Sequence, residues 1–323
     1  MSCLCLYYIV NWVLSKIRYF HVIHEKYSTK KGERMTLLTY EIFEAVVQER
    51  SFHKASVLLN MTPSAVSHAI SSMEKEVGFS LFVRGKQETV LTTHGELLLP
   101  YVRAVLKSEE SLQETVAAFR GLEKGLVKLG GFNSACSMWV PEIVKSFQEK
   151  FPNIHIEIYQ GTYVDLVEWL KNGTIDLCIM SKVDATEFDY ELLYKDRLMC
   201  VVPKGFETKH KDYITFEEMK NQRFVTQWSS CDGDALRVLK DHGLEPSAYC
   251  HVVDDMSTIA MVEAGMGICI LPELLISKGE KVDWYPLEEE YYREICLAVN
   301  SFKTVSPAVK KMIEIIENYV AEM

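Results

Sequence analysis

The run from Ser51 to Gly95 sets the architecture of the first part of this chain and reads SFHKASVLLNMTPSAVSHAISSMEKEVGFSLFVRGKQETVLTTHG. At its centre Thr62 precedes Pro63; threonine is a good helix cap, and proline is tolerated at the first helical position. Apolar residues then recur at intervals of four, three and four positions, at Val66, Ile70, Met73 and Val77. This spacing predicts a helix with one buried stripe.

The opposite side of this predicted helix carries small hydrogen-bonding side chains, which suit the base edges of the DNA major groove. This outer face consists of Ser64, Ser67, His68 and Ser71. We expect two helices before it, one over Thr39–Gln48 and one capped by Ser51, and a hairpin after it with its turn at Gly85-Lys86. This order is typical of a winged helix-turn-helix. The alternative is a small helical bundle with no role in nucleic-acid binding.

The same stretch resembles the LysR-type transcriptional regulators. The resemblance is carried by Phe52, Ala55, Leu58, Thr62, Pro63, Ser64, Ala65, Val66, Ser67, Ile70, Met73, Glu74, Gly78, Leu81, Phe82, Arg84, Leu91, Thr92 and Gly95. It extends from about Met35 to the C-terminus and implies a homodimeric or homotetrameric protein that binds double-stranded operator DNA and responds to a small-molecule effector. The residues expected to lie at the DNA are Thr62, Pro63, Ser64, Ser67, His68, Ser71, Arg84 and Lys86.

Charge is unevenly distributed along the 323 residues, whose formal net charge is −10. Residues 1–34 carry a net charge of +4, residues 35–95 carry −1, and the remainder carries −13. The expected DNA-binding segment is therefore not basic overall. We expect modest nonspecific affinity for DNA that falls steeply with salt, with phosphate held by Thr62, Arg84, Lys86 and a helix N-terminus.

The first 34 residues are not expected to belong to the fold. Their apolar section, Leu4–Ile17, is interrupted by polar residues and is short for a membrane span, and no charged leader or cleavage site accompanies it. Residues 30–34 can be encoded by a purine-rich ribosome-binding sequence, which leads to the hypothesis that translation starts at Met35. The competing interpretation is a membrane-tethering helix.

A long helix is expected after the hairpin. Thr93 and Glu96 have the spacing of a capping box, and the helical pattern continues to about Leu122. Its apolar residues follow a heptad pattern: Leu98, Val102, Val105, Leu112, Val116 and Phe119. Because a helix between two domains has little of its own chain to pack against, we expect a seam between two copies. The alternative is an amphipathic helix packed on its own domain.

From residue 125 onward, strands alternate with helices, which is typical of an α/β fold. The predicted strands are Leu126–Gly131, Ile154–Tyr159, Ile175–Met180, Leu198–Pro203, Phe224–Gln227, Ala248–Val253, Ile268–Leu271 and Arg293–Val299. The predicted helices include Cys136–Lys150, Val164–Asn172 and Pro307–Ala321. The whole chain is thus expected to be α/β with an all-α N-terminal part. A winged helix-turn-helix domain at 35–94 and a linker helix at 95–124 precede an effector-binding domain at 125–323, whose two lobes resemble those of periplasmic solute-binding proteins.

An effector is expected between the lobes, where strand C-termini and helix N-termini meet. The resemblance implies contacts at Ser134 and at Gly161-Thr162. The second lobe should contribute Gln227, Trp228, Met256 and Ser257. Any one serine or threonine here is more simply explained as a helix cap, whereas three at equivalent strand ends favour a shared cleft. The nearest basic residues are Lys182 and Arg197, and the aromatic residues suggest an effector with an apolar portion.

Nine cysteines are present without a CxxC motif or a zinc-type spacing, which fits a protein of the reducing cytoplasm with no disulfide, metal or other cofactor. Cys136 and Cys231 lie at predicted helix starts, where the helix dipole lowers the pKa of a thiol. This raises a hypothesis of redox sensing, against the simpler interpretation of buried, inert cysteines.

No motif supports catalysis, since GxSxG, HExxH and P-loop patterns are all lacking. The sequence therefore predicts a regulator that is not an enzyme, with RNA polymerase as a further candidate partner and no membrane association. The alternative function is a ligand-binding module whose N-terminal domain makes only protein contacts. That alternative allows Ser64, Ser67 and His68 to be covered, whereas the regulator requires them to face solvent.

Overall fold

The computed structural model describes residues 35–84, 88–119, 124–228, 233–244, 248–278 and 281–323. Contacts divide the chain into two compact units, the first ending at Leu98 and the second beginning at Leu99. The predicted N-terminal extension at 1–34 and the predicted turn at Gly85-Lys86 lie outside the described residues.

The first unit has the predicted winged helix-turn-helix order. Its elements are α1 (Leu37–Glu49), α2 (Phe52–Leu58), α3 (Pro63–Val77), β1 (Phe82–Arg84) and β2 (Thr89–Leu91). Strands β1 and β2 pair antiparallel as a hairpin. Ser51 caps α2 as expected, and the Thr62 hydroxyl caps α3 by accepting a hydrogen bond from the Ala65 N–H at 3.2 Å.

Helix α3 is held in place both along its buried stripe and at its end. Val66, Ile70 and Met73 are buried, as the spacing predicted. Beyond the helix, the Glu74 carboxylate accepts a hydrogen bond from the Leu81 N–H at 2.8 Å. This charge-assisted bond fixes the last turn of α3 against the start of the hairpin.

The long helix α4 (Thr93–Phe119) begins differently from the prediction. Thr93 is its first residue, so the capping box predicted for Thr93 and Glu96 is wrong by one position. The cap is Thr92, whose hydroxyl accepts from the Gly95 N–H at 3.1 Å and donates to the Ser80 carbonyl at 2.8 Å. The second bond holds Thr92 against the hairpin and outside the helix.

The second unit contains two lobes. In lobe one, β3 (Gly125–Gly131) pairs parallel with β4 (Ile154–Gln160) and with β5 (Leu177–Ser181). Strand β11 (Tyr292–Val299) adds antiparallel to β5. Helices that pack around this sheet are α5 (Asn133–Met138), α6 (Val140–Lys150), α7 (Tyr163–Lys171) and α11 (Pro307–Ala321).

One predicted helix of lobe one is two helices. The segment expected as a single helix over Cys136–Lys150 breaks at Trp139, between α5 and α6. Pro141 occupies the first turn of α6, where its missing N–H is tolerated. A continuous helix would place that proline in the interior, without the hydrogen bond expected there.

A strand shared by both lobes begins much earlier than predicted. Strand β6 runs over Asp189–Pro203, whereas the sequence pattern indicated only Leu198–Pro203. Its first part pairs with β11, and its last part pairs with β9 (Cys269–Pro272) and β10 (Val282–Pro286). The early part carries charged, exposed residues, so its apolar pattern is weak.

Lobe two is built on the last part of β6. Strand β7 (Phe224–Gln227) pairs parallel with β8 (Ala248–Val252) beside the antiparallel β6, β9 and β10. The remaining elements are α8 (Phe216–Lys220), α9 (Gly233–Asp241), α10 (Asp255–Glu263) and a 3-10 helix at Glu273–Lys278. Apolar side chains of these elements form cores separate from that of lobe one.

Within the second unit, one face of α4 contacts its own chain, contrary to the expectation that it has little to pack against. Arg103 donates to the Asn172 carbonyl at 3.2 Å, Lys107 pairs with Asp176 at 2.9 Å, and Glu114 accepts from the Ala308 N–H at 3.2 Å. Val102, expected in the seam, is buried. The large apolar residues that remain exposed on α4 beyond Pro100 are Tyr101, Val105, Leu112 and Phe119.

We predict that Gly95→Ala destabilises the first unit. A Cβ at Gly95 would lie 2.4 Å from the Leu81 carbonyl oxygen, so the hairpin would have to move. The expected loss is about 1–3 kcal/mol of unfolding free energy. Urea denaturation measures it, with Gly233→Ala as the control, because a Cβ there meets nothing within 4 Å. Equal stability of the wild type and Gly95→Ala contradicts the close approach.

Candidate functional site

The predicted DNA-facing residues of α3 lie mostly on the outside of the first unit. Thr62, Pro63, Ser64, His68 and Ser71 are exposed. Ser67 is half-buried between this face and the buried stripe. The side chain of Arg84 and the whole of Lys86 lie outside the described part of the chain. The face that remains is polar, and its first turn begins at a capped helix N-terminus that can approach phosphate.

A cavity of about 470 Å³ lies between the two lobes of the second unit. It opens where β3, β4, β7 and β8 end, because the loops after these strands meet there. Its size suits a small molecule. The residues that line it are Phe132, Asn133, Ser134, Gln160, Gly161, Thr162, Tyr163, Asp165, Gln227, Val253, Asp254, Asp255 and Arg293.

Three of the six predicted effector residues line this cavity: Ser134, Thr162 and Gln227. The other three are not among its lining residues. Trp228 and Met256 are neighbours in sequence of lining residues and are exposed. Ser257 instead donates its hydroxyl to Asp254 at 2.7 Å.

The predicted serine and threonine residues differ in whether they cap a helix, line the cavity or do both. Thr162 is both, since it caps α7 in a reciprocal capping box with Asp165. Ser134 is no cap, because Phe132 occupies that position of α5. At α10, Asp254 is the cap, so Ser257 is not. The hydroxyl of Ser134 instead accepts a hydrogen bond from Arg293 at 3.1 Å.

The buried guanidinium of Arg293 is the feature that the sequence analysis missed. Arg293 is 5% exposed and donates to Asp196 at 2.6 Å and to Ser134 at 3.1 Å. The guanidinium also lies over the Phe132 ring, 4.6 Å from its centroid. Burial opposes its charge, but Tyr163 and Asp196 more than offset this and raise the pKa of Arg293 above its usual value. It is therefore charged at every physiological pH.

Asp255 forms the facing wall in lobe two. It is 9% exposed, and its Oδ1 accepts a hydrogen bond from Gln227 Nε2 at 2.8 Å. Burial raises the pKa of the Asp255 carboxyl above its ordinary value, against the lowering effects of the Gln227 bond and of Arg293. The cavity therefore joins a buried cation on one lobe with a buried carboxyl on the other.

The basic residues expected from the sequence are engaged elsewhere. Lys182 pairs with Glu294 at 2.7 Å, and Arg197 pairs with Glu290 at 3.2 Å. Neither lines the cavity. The available signal for Arg293 was its place at the start of a predicted apolar strand, but the sequence pattern alone does not say that a terminal charge turns inward.

The thiol of Cys136 does not have the lowered pKa expected from a helix start. Burial raises the pKa of Cys136 to about 11, so the unreactive thiol dominates at neutral pH. Cys136 lies in the body of the short helix α5, and its thiol donates to the Gly131 carbonyl at 3.3 Å. The other candidate, Cys231, lies outside the described residues.

An exposed polar helix in a winged unit and a two-lobed unit with a small-molecule cavity together define a ligand-responsive DNA-binding protein. Comparison with known families agrees. The family model for the bacterial regulatory helix-turn-helix protein of the lysR family matches residues 37–96, and that for the LysR substrate binding domain matches residues 120–321.

Individual relatives are similar over most of their length. The chain is 31% identical to the uncharacterized HTH-type transcriptional regulator YvbU of Bacillus subtilis (strain 168), over 87% of this chain and 97% of the relative. A full-length point variant of OxyR from Pseudomonas aeruginosa has a TM-score of 0.72 at 18% identity, covering 89% of this chain and 98% of OxyR. Full-length CbnR complexed with target DNA has a TM-score of 0.59 at 18% identity, covering 88% of this chain and 99% of CbnR.

The chain belongs to the LysR family and is a DNA-binding transcriptional regulator with an effector-binding domain. Within the described residues, none of the helices combines the length and the apolar character that a membrane crossing requires. The same residues contain no cluster of histidine, cysteine and carboxylate side chains suited to a metal ion.

We predict that Arg293→Met lowers the unfolding free energy of the second unit by about 3–5 kcal/mol, because the Asp196 carboxylate would be left buried and uncompensated. The double variant Arg293→Met/Asp196→Leu should recover much of this loss, since neither charge remains. Chemical denaturation of the single and double variants measures both effects. Additive losses would contradict a direct buried pair.

Proposed function

We propose that this LysR-type regulator reads an inverted-repeat operator with α3 and controls transcription through an effector bound between its two lobes. The observation that carries the proposal is the outward polar face of α3, on which Ser64 and His68 are exposed. Side chains of this kind reach base edges in the major groove, while Thr62, Arg84 and Lys86 are assigned to phosphate.

The alternative, a ligand-binding module whose N-terminal domain makes only protein contacts, is less well supported. It allows the outer face of α3 to be covered, whereas the described first unit leaves that face largely open. Membership of a family of DNA-binding regulators also favours the regulator.

Self-association through α4 is the second part of the proposal. Beyond Pro100, exposed Tyr101, Val105, Leu112 and Phe119 recur at intervals of four and seven positions, which places them along one face of the helix. The opposite face carries the polar contacts of Arg103, which fix α4 to lobe one. An apolar stripe on a helix whose other side is already packed suits a seam between two copies, as a dimer or within a tetramer.

The effector cavity is the third part. Ser134, Thr162 and Gln227 are assigned to the effector, and Trp228, Met256 and Ser257 to the adjoining rim of lobe two. A ligand that contacts both lobes stabilises one angle between them. Such a ligand can change DNA binding only as far as its affinity for that arrangement of the lobes exceeds its affinity for the other arrangement. The regulator is assigned to the cytoplasm, where RNA polymerase is its candidate partner at the promoter.

We predict that Ser67→Ala and His68→Ala each weaken binding to operator DNA. A lost base contact costs about 1–3 kcal/mol, so affinity should fall by roughly fivefold to 150-fold. A gel shift with DNA from the upstream region of its own gene, at two salt concentrations, measures this. The control is His155→Ala, an exposed histidine on β4 of lobe one. Operator affinity unchanged in both α3 variants would refute the assignment of this face.

We predict that Leu112→Lys shifts the protein toward monomer, because a charge at the centre of the apolar seam cannot be desolvated cheaply. Sedimentation equilibrium of the full-length protein measures the association constant. Val164→Lys is the matched control, since Val164 is equally exposed but lies on α7. A variant at Leu112 that associates as the wild type does would exclude this stripe as the seam.

A further inference from the structure

The charge of the cavity between the lobes limits which effectors it can hold. Its lining includes three carboxylates, Asp165, Asp254 and Asp255, and one cation, Arg293, among the described residues. That cation already has a carboxylate partner, because Asp196 lies 2.6 Å from it. The wall of the cavity is therefore negative before any ligand enters.

The helix N-termini at the cavity do not compensate for this negative charge. Helix α7 begins at the cavity with Asp165 in its first turn, and Asp165 accepts from the Thr162 N–H at 2.9 Å. Helix α10 is capped by Asp254 and has Asp255 as its first residue. Each helix therefore supplies its own anion at the position where an anionic ligand would otherwise be favoured.

Only one oxygen of the Asp255 carboxylate is bonded within the described residues. Asp255 is nine-tenths buried, and its Oδ1 is taken by Gln227. Within the described residues, its Oδ2 has no hydrogen-bond donor. Burial raises the pKa of this carboxyl, and a positively charged group beside Oδ2 would offset that cost. A carboxylate placed there would meet repulsion instead.

The opposite wall is aromatic. Phe132 and Tyr163 line the cavity with their ring centroids 5.7 Å apart. Val253 adds an apolar, exposed side chain at the lobe-two edge. A ligand that fits this wall has an apolar portion as well as a polar head.

We propose that the effector of this regulator is a cation, a small molecule whose amino, amidino or guanidino group donates to Asp255 while its apolar portion packs against Phe132 and Tyr163. This inference rests on the proposed effector function of the cleft and names its ligand class. Gln227 positions the Asp255 carboxyl, and Ser134 and Arg293 form the polar end of the opposite lobe.

The test uses three nearly isosteric probes that differ in charge: benzamidine, benzamide and benzoate. Calorimetry on the full-length protein should give the order benzamidine, then benzamide, then benzoate. Asp255→Asn should lower the affinity for benzamidine roughly tenfold or more, as expected for loss of a hydrogen bond to a charged group. The same substitution should lower the affinity for benzoate less than the affinity for benzamidine. Asp283→Asn is the matched control, a lobe-two aspartate that pairs with Lys204 outside the cavity.

The order of the probes in the wild type tests the charge preference even if Asp255→Asn fails to fold. Benzoate binding as tightly as benzamidine, or no benzamidine binding up to its solubility limit, overturns the proposal. So does a folded Asp255→Asn protein that binds benzamidine as the wild type does. The gel shift distinguishes these failures from a failure of the proposed function. If operator binding responds to benzoate or benzamide, the protein is still an effector-controlled regulator, and only the proposal of a cationic effector is wrong.

Discussion

The second unit depends on the buried ion pair between Arg293 and Asp196. The two residues are direct cross-strand partners on β11 and β6, near the point where β6 leaves lobe one for lobe two. Asp196 also accepts from the Leu274 N–H at 3.1 Å, and Arg293 donates to Ser134 at the cavity. One pair of opposite charges thereby ties both lobes, the crossing strands and the wall of the cavity together.

Burial of the Arg293–Asp196 pair removes two charges from water, which has an energetic cost. Two charges removed from water stabilise a fold only where their geometry is good and their other polar atoms are bonded. The Nε of Arg293 is buried without a hydrogen-bond partner among the described residues. The polar atoms of the pair are therefore not all bonded within the described part of the fold.

The first unit follows a different principle, since short-range interactions define most of it. Thr62 caps the helix that it precedes, and Glu74 binds the backbone of Leu81 only seven positions away. The first contact fixes the start of α3 and the second fixes its end against the hairpin. The apolar stripe of α3 faces the core of the first unit, so the polar residues on the opposite side of the helix face solvent.

Local patterns along the chain were enough to predict the winged helix-turn-helix order, the caps at Ser51 and Thr62, and most strands of the two lobes, because periodicity and capping act over a few residues. The resemblance to the LysR family, and not a local pattern, pointed to Ser134 and Thr162, which line one cavity with Gln227. The start of β6, the cap of α4 and the choice of which charges turn inward emerged only from the folded chain. Arg293 and Asp196 are 97 residues apart, so their burial depends on a pairing that no local pattern encodes.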